Sequence, residues 1–369
     1  MRLFVYEHIC GGGMAGQFLP EKWVREGWAM LAAIIADFDQ LEEIEVVFSL
    51  DTRLSGRKTG SCRCVLIDTE EQYIHVLAEQ SRKCDAVFVI APETDGILLG
   101  CCQVVEHAGG RMFAHCSQAV TKVSDKLELN RFLSERGVPV PVSKKWVPSA
   151  PFPENFPVPA VIKPRQGAGS DDIYLVTSNS HNKGNTISGI SQRLGAESME
   201  TTRSLGVPSM KKGFMLEEYV SGIPVSICFL INDKQRVPLL AGFQHISNDG
   251  RFRYQGGTIP CPQKFQKPVA EMAQRALQQV PGLHGFTGVD LVVCSDRNGF
   301  EGPFCCEIKV IEINPRLTTS YVGLRHLANE NIARWMLRAF LGQPINISWK
   351  PGVVEFDSSG TIDHSDMAF

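Results

Sequence analysis

The sequence predicts a mixed fold, with an α/β unit first and an α+β unit after it. Up to about residue 115, short apolar strands alternate with helical stretches, which is typical of a small parallel sheet with helices on its faces. From residue 214 onward, several apolar strands follow one another before the next helix, which predicts an antiparallel sheet.

Composition limits the classes of function. The chain has 369 residues, enough for two or three domains, with 43% hydrophobic and 21% charged residues. A net charge of −3 argues against a nucleic-acid partner. No long uncharged apolar run and no signal peptide are visible, so no membrane partner is expected and a cytoplasmic location is predicted. The 12 cysteines form no Cys-x-x-Cys pattern and are predicted to be reduced thiols.

In the first unit, strands are predicted at 2–9, 44–50, 64–67 and 86–90, and helices at 70–81 and 96–107. Residues 11–16 satisfy the Gly-x-Gly-x-x-Gly pattern, so a dinucleotide site is one hypothesis. That pattern needs a helix that opens inside the glycines. Pro20 interrupts here and the periodic helix is predicted only from about Glu26, so a flexible glycine loop above the sheet is favoured.

The second unit opens with a capped helix at 124–133 that ends near Gly137. A strand at 160–164 carries Lys163 and leads into the Gly-rich residues 165–172, where backbone N–H groups can approach an anion. A hairpin turn with an incidental lysine stays an alternative. A helix is predicted at 185–204, then strands at 214–220, 225–231, 237–243 and 251–259, a helix at 268–279 and a final helix at 324–341. The chain from 351 is predicted to be a loosely packed tail.

Two predicted strands contain the candidate metal ligands. Residues 310–316 read Val-Ile-Glu-Ile-Asn-Pro-Arg, and strand alternation places Glu312 and Asn314 on one face with Ile311 and Ile313 on the other. Asp290 is the single charge in the apolar run 288–293. If the strands are neighbours, these three polar residues converge and suit a hard cation such as Mg²⁺. Polar residues that merely end two buried strands are the alternative.

The order of these parts resembles the ATP-grasp superfamily over about residues 117–342. The resemblance implies a Rossmann-like pre-ATP-grasp domain at 1–116 and an ATP-grasp domain at 117–345, split into subdomains at 117–212 and 213–345, with a tail at 346–369. Glu7 with the glycine loop, the Tyr-Gln-Gly-Gly of 254–257 and residues 314–321 resemble most the tyramine–glutamate ligase group, which are carboxylate–amine ligases of methanofuran synthesis.

The resemblance also implies roles for single residues, with ATP and Mg²⁺ (or Mn²⁺) as cofactors. Lys126 and Lys163 would bind the phosphates, under a lid formed by Gly167, Ala168, Gly169 and Ser170. Glu217, Glu218 and Val220 would bind adenine, while the ribose contact is unassigned because Pro224 stands at its position. Asp290, Glu312 and Asn314 would hold the metal, and Arg316 would act on the transferring phosphoryl group or the acyl phosphate.

The substrates are predicted to lie beside the metal strand. Arg251 and Arg253, on one face of a predicted strand, together with Thr319 and Ser320, are candidates to bind an acid with more than one carboxylate. The alternative is that the two arginines are solvated strand residues. Glu7 is the candidate for the ammonium of the amine, with Tyr6 or Trp28 beside an aromatic ring.

Three other interpretations stay open at this point. They are a nucleotide-binding regulator without turnover, a dehydrogenase based on residues 11–16, and another amino-acid ligase resembling D-alanine ligase. The dehydrogenase needs an acidic residue about 20 residues after the glycines, and Asp51 lies later. The sequence names neither substrate, and it leaves a monomer and a homo-oligomer equally open.

Overall fold

A computed structural model describes residues 1–57, 60–148, 150–167, 172–177, 213–294 and 307–363. Its first sheet is parallel, in the order β3-β2-β1-β4. The strands are β1 (Arg2–Glu7), β2 (Glu45–Asp51), β3 (Arg63–Ile67) and β4 (Ala86–Ile90). The predicted parallel α/β unit is therefore confirmed.

Helices cover both faces of this sheet. They are α1 (Glu21–Asp39), α2 (Glu70–Lys83) and α3 (Ile97–His107). Alternate residues of β1 enter two different cores, because Leu3 and Val5 pack with α1 whereas Phe4 and Tyr6 pack with α2 and α3. The expected start of α1 near Glu26 is wrong, since Pro20 is the N-cap of the helix and does not interrupt it.

Two helices, α4 (Ser117–Ser124) and α5 (Lys126–Ser134), connect the first sheet to a small antiparallel sheet. That sheet has the order β5-β8-β6-β7. Its strands are β5 (Ser143–Trp146), β6 (Ala160–Pro164), β7 (Tyr174–Val176) and β8 (Phe214–Glu218). The pairing of β6 with β7 confirms the predicted hairpin around the Gly-rich segment. The helix predicted at 185–204 lies outside the described residues.

The larger sheet is antiparallel and runs β14-β13-β9-β11-β12-β15-β16, with β10 paired to β9. The strands are β9 (Gly222–Ile231), β10 (Arg236–Pro238), β11 (Gly242–Ile246), β12 (Tyr254–Ile259), β13 (Gly285–Cys294), β14 (Ile308–Asn314), β15 (Val354–Asp357) and β16 (Ile362–Asp363). The predicted antiparallel arrangement is confirmed, although the strand predicted at 237–243 is two separate strands.

Three further predictions are corrected. The helix α6 (Gln263–Gln279) contains Pro268 instead of starting at it. The final helix is two helices, α7 (Ser320–Leu327) and α8 (Ile332–Phe340), because the side chain of Asn331 caps the second by accepting from the Ala333 N–H group. Residues 354–357, in the tail predicted to be loosely packed, form a strand instead, since β15 pairs with β12 and Phe356 is buried. The domain boundaries at 116 and 345 stay predictions.

The first unit is fixed to the second through α1. The buried Asp37 carboxylate accepts a hydrogen bond from the Tyr321 hydroxyl at 2.5 Å and from Arg325 Nε at 2.9 Å, and it also pairs with Arg325 Nη2. Asn331 Nδ2 donates to the Asp37 carbonyl at 2.7 Å. One acidic side chain of α1 thus holds α7, which follows directly after the strand β14.

Candidate active site

The two chemistry-bearing strands are neighbours, as predicted. β13 and β14 pair antiparallel, with Asp290 opposite Glu312 and Gly288 opposite Asn314. Asn314 Nδ2 donates to Asp290 Oδ2 at 2.9 Å, and Gln244 Nε2 on β11 donates to Asp290 Oδ1 at 3.0 Å. The three predicted metal residues therefore lie together at the end of the sheet.

A β-bulge modifies the predicted alternation. The register shifts between Asp290 and Leu291, so that Ile311 has no direct partner opposite it. As a result, Ile311 lines the same cleft as Glu312 and Asn314. The expectation that Ile311 packs on the opposite face is wrong, whereas Ile313 is buried in the core beneath.

Each of the two predicted phosphate-binding lysines forms an ion pair with an acidic residue of the cleft. Lys126, the first residue of α5, lies 2.8 Å from Glu312 Oε2 and donates to the Gly167 carbonyl at 2.7 Å. Lys163 on β6 lies 2.7 Å from Glu217 Oε1 on β8, and both side chains are buried. A buried ammonium group needs such a partner, because desolvation without compensation is costly.

The charges of this cluster shift each other's pKa values. Burial, reinforced by the neighbouring Glu312 carboxylate, raises the pKa of Asp290. Burial alone would also raise the pKa of Glu312, but the ammonium groups of Lys126 and Lys163 outweigh it and lower that pKa. The site therefore holds two facing carboxylates, of which Glu312 is the more acidic.

These residues fit a hard divalent cation. Two carboxylates and an amide oxygen are the ligand types that Mg²⁺ prefers, and a cation between Asp290 and Glu312 would relieve their mutual repulsion. Among the described residues, no group of three or more His, Cys, Asp and Glu side chains is arranged to hold a metal. The fit accordingly depends on the amide of Asn314 as well as on the two carboxylates.

A single cleft of about 270 Å³ collects most of the predicted site. Its polar lining includes both lysines, the three metal candidates, Arg316, Thr319 and Ser320. The predicted adenine residues Glu217, Glu218 and Val220 also line it. The rest of its apolar lining includes Tyr219, Ile173, Pro224, Ile246, Phe252 and Leu291. Glu218 is held there by Lys309 Nζ at 3.1 Å.

The lid residues are described only in part. Gly167 lies at the end of the described segment and accepts the hydrogen bond from Lys126. Ala168, Gly169 and Ser170, the remaining residues of the predicted lid, lie outside the described residues.

Arg316 is joined to the first unit. Its Nε donates to both carboxylate oxygens of Glu93, at 2.9 and 3.0 Å, and its Nη1 donates to the Leu317 carbonyl at 3.3 Å. Glu93 follows β4 and is only 4% exposed. Sequence reasoning missed Glu93, because nothing in the local pattern around it indicates a partner 223 residues away.

The predicted acid-binding arginines are not brought into the cleft. Arg253 is exposed and pairs with Asp249 at 3.2 Å, and Arg251 stacks over the Tyr174 ring at 3.9 Å. The strand begins only at Tyr254, because Phe252 has a φ of 51°, in the left-handed region. The alternation argument for these arginines therefore fails, whereas Thr319 and Ser320 do line the cleft.

Glu7 also lies elsewhere than expected. It is 2% exposed, and its carboxylate accepts from the N–H groups of Ile9 at 3.1 Å and Cys10 at 2.6 Å. Tyr6 is fully buried beside His8, on the other face of the first sheet, so it cannot flank a substrate ring. Trp28 stacks with Arg57 and does not line the cleft.

Instead, α1 places two other residues in the cleft, namely Glu26 and Met30. Sequence reasoning missed both, since it selected Trp28 from this helix as the residue beside the substrate. Tyr254, Ser226 and Gln244 also line the cleft. In the part of the chain that the structure describes, no helix has the length and apolar character needed to cross a membrane.

Known proteins share this architecture. The sequence model of the ATP-grasp domain matches residues 123–320, and that of the pre ATP-grasp 3 domain matches residues 44–120. The tyramine–L-glutamate ligase of Methanocaldococcus jannaschii is 20% identical over 327 residues, which cover 88% of this chain and 86% of the relative. The enzyme of the same name from Methanocaldococcus fervens is 22% identical over 315 residues, covering 85% and 87%.

Solved structures show the same fold. An ATP-grasp superfamily protein from Archaeoglobus fulgidus superposes with a TM-score of 0.65 at 23% identity, covering 96% of this chain and 92% of that one. An L-amino acid ligase from Bacillus licheniformis gives 0.63 at 14% identity, with coverages of 92% and 74%. Because the ATP-grasp model alone matches more than half of the residues, this chain belongs to the ATP-grasp superfamily, with a pre-ATP-grasp domain before the grasp.

Proposed function

We propose that this protein is an ATP-dependent carboxylate–amine ligase that joins glutamate to an aromatic amine, such as tyramine or tyrosine, in a methanofuran-type synthesis. The observation that carries the proposal is the convergence of Lys126, Lys163, Asp290, Glu312 and Asn314 in one cleft. Cationic side chains for phosphates beside a hard-cation ligand set are what phosphoryl transfer from ATP needs. The names of the two Methanocaldococcus relatives support the choice of substrates.

In the proposed reaction, a carboxylate oxygen of glutamate attacks the γ-phosphorus of ATP, and ADP leaves. The amine nitrogen then attacks the carbonyl carbon of the acyl phosphate, the C–N bond forms, and inorganic phosphate leaves with a proton from the nitrogen. No protein nucleophile takes part. Positioning and charge neutralisation supply the rate enhancement.

The residues of the cleft have distinct roles in this proposal. Lys126 and Lys163 bind phosphate oxygens, in exchange for their present partners Glu312 and Glu217. Asp290, Glu312 and Asn314 would hold Mg²⁺ or Mn²⁺, which supplies neutralising charge to the phosphates when it is bound. Arg316, oriented by Glu93, stabilises the negative charge of the acyl phosphate.

The nucleotide base is proposed to lie against the apolar side chains that line the cleft. Glu217 and the backbone of Glu218 and Val220 would bind the adenine edge. The Glu217 carboxylate also accepts a hydrogen bond from Lys163, so in this proposal the adenine-binding residue lies next to a phosphate-binding residue.

ADP release with glutamate and a panel of aromatic amines tests the proposal. Amine-dependent ADP release is expected, together with loss of this activity in Arg316→Ala. Arg253→Ala is the matched control, since that side chain lies outside the cleft, and it should behave like the unmodified protein. Absence of amine-dependent release with every aromatic amine would refute the substrates. Absence of ADP release with any carboxylate and any amine would refute the ligase itself.

A further inference from the structure

One wall of the cleft is formed by the first unit, through helix α1. Glu26 and Met30 are four residues apart, so they lie on the same face of α1, and both line the cleft. The second unit lines the same cleft with Arg316, Tyr254 and the hydroxyl-bearing residues 318–320.

The charge of the Glu26 carboxylate shifts the pKa values of two other residues that line the cleft, Tyr254 and Arg316. Burial raises the pKa of Tyr254, and the charges of Asp290 and Glu26 raise it further. Burial opposes the positive charge of Arg316, but Glu93, Glu312 and Glu26 outweigh it and raise the pKa of Arg316. Glu26 is therefore close enough to influence both Tyr254 and Arg316, two residues that line the cleft.

The helix that carries Glu26 is fixed in place by two contacts. The helix approaches Glu7 at Gly27, where a Cβ atom would lie 2.8 Å from Glu7 Oε2. Ten positions after Gly27 in α1, Asp37 is bound by Tyr321 and Arg325 of α7. The helix that carries Glu26 is thus fixed at two points, one on the first sheet and one next to the metal strand.

We propose that Glu26 binds the ammonium group of the amine substrate, while Met30 and Tyr254 contact its apolar body. This inference rests on the proposed ligase function. The Glu26 carboxylate repels the carboxylate of the acid substrate and attracts a primary ammonium group. The guanidinium of Arg316 suits the carboxylate of the acid instead. Glu7 does not fill this role, because it is enclosed and its carboxylate already accepts two backbone N–H groups.

Binding of tyramine to the full chain tests the inference without turnover. The dissociation constant is measured by calorimetry with glutamate and a non-hydrolysable ATP analogue present. Glu26→Gln should weaken tyramine binding by roughly tenfold or more, the range expected for a hydrogen bond to a charged group. Glu21→Gln, an exposed position in the first turn of the same helix, is the matched control and should leave the constant unchanged. 4-Ethylphenol, which lacks the amine, should bind the unmodified protein and Glu26→Gln with the same affinity.

Equal tyramine affinity of Glu26→Gln and the unmodified protein would overturn the inference, as would the absence of binding by any aromatic amine. Glutamate also carries an ammonium group, so its dissociation constant is compared with that of glutarate. If Glu26→Gln weakens the binding of glutamate but not of glutarate or tyramine, the assignment to the amine is overturned. Glu26 would then bind the ammonium group of the acid substrate. Normal tyramine binding without any ADP release would leave this inference intact and refute the ligase function alone.

Discussion

At the scale of single residues, the cleft is organised around exchangeable ion pairs. Lys126 and Lys163 contact Glu312 and Glu217 at 2.8 and 2.7 Å, so neither ammonium group is left uncompensated. If ATP binds here, its phosphates compete with these carboxylates for the lysines. The exchange costs little when the new partner is also an anion, and it would leave Glu312 available to a metal ion.

Glu312 is therefore expected to be essential for turnover. Glu312→Ala removes a metal ligand and the partner of Lys126, and the rate of ADP release should fall roughly 10³-fold or more. Glu312→Gln, which keeps the size of the side chain, should lose activity similarly while the protein stays folded by circular dichroism. Glu330→Ala, at an exposed position, is the control. Near-normal turnover of both Glu312 variants at saturating Mg²⁺ would contradict the assignment.

The buried Glu7 predicts a dependence of stability on pH. Burial raises its pKa from 4.5 to about 7, although two backbone N–H groups donate to it. The folded protein therefore binds this proton more tightly than the unfolded chain, so the contribution of Glu7 is fully present below about pH 4.5 and is lost as the pH rises through about 7.

The loss should amount to about 3 kcal/mol over that interval. Urea unfolding of the unmodified protein and of Glu7→Gln at pH 5 and pH 8 measures it. The free energy of unfolding of the unmodified protein should fall relative to that of Glu7→Gln between the two pH values. Glu42→Gln is the control, because that residue is exposed. A constant difference between the two proteins would refute the raised pKa.

The sequence predicted the residues of the site where local patterns decide their positions. Asp290, Glu312 and Asn314 meet because β13 and β14 are strands whose pairing follows from their apolar residues. Glu26 and Glu93 could not be found in this way. Their roles depend on how α1 and the segment after β4 pack against the second unit, and no local periodicity contains that information.

At the scale of elements, the sequence predicts whether a segment is a strand or a helix, but it does not predict several of the residues at which these elements begin and end. Pro268 lies inside α6, where the Gln266 side chain binds both the N–H and the carbonyl of Ala241 and so fixes the first turn of the helix. Tyr254, not Arg251, starts β12 because of the left-handed backbone at Phe252. Residues 354–357 form a strand because the edge of β12 is there to pair with them. Each of these features is decided by tertiary contacts.

The contact between α1 and α7 should contribute strongly to stability. Asp37→Ala leaves the buried Tyr321 hydroxyl and the Arg325 guanidinium without their shared acceptor, which typically costs about 3 kcal/mol or more. Thermal unfolding should show a clearly lower midpoint for Asp37→Ala, whereas the nearby exposed Glu42→Ala should match the unmodified protein. An unchanged midpoint would show that the network does not hold the helices together.

At the scale of the whole molecule, the cleft lies between the two units, and both units contribute side chains to it. The first unit supplies Glu26 and Met30 directly and Glu93 through Arg316. Glu93 comes after the carboxyl end of β4, the edge strand next to β1 in the parallel sheet. Such sheets bind ligands beyond the carboxyl ends of their strands, where the strand order reverses. Here that position is used to orient an arginine of the second unit.

Glu93 is consequently expected to act as a positioning residue for Arg316. In Glu93→Gln one of the two oxygens that accept from Arg316 Nε is replaced, and the turnover number should fall roughly tenfold while the KM for ATP stays unchanged. Because the buried Arg316 guanidinium loses a countercharge, Glu93→Gln should also lower the thermal midpoint, so turnover is measured at a temperature where circular dichroism shows the variant to be folded. Glu71→Gln, on the exposed side of α2 in the same unit, is the control.

A double-mutant cycle with Arg316→Lys distinguishes positioning from an independent effect. Because the two side chains are in direct contact, their substitutions should not be additive, and Glu93→Gln should reduce turnover little further once Arg316 is replaced. A purely structural role for Glu93 would lower turnover to the same extent in both backgrounds. Additive losses in turnover number would thus contradict the coupling of the two units through this ion pair.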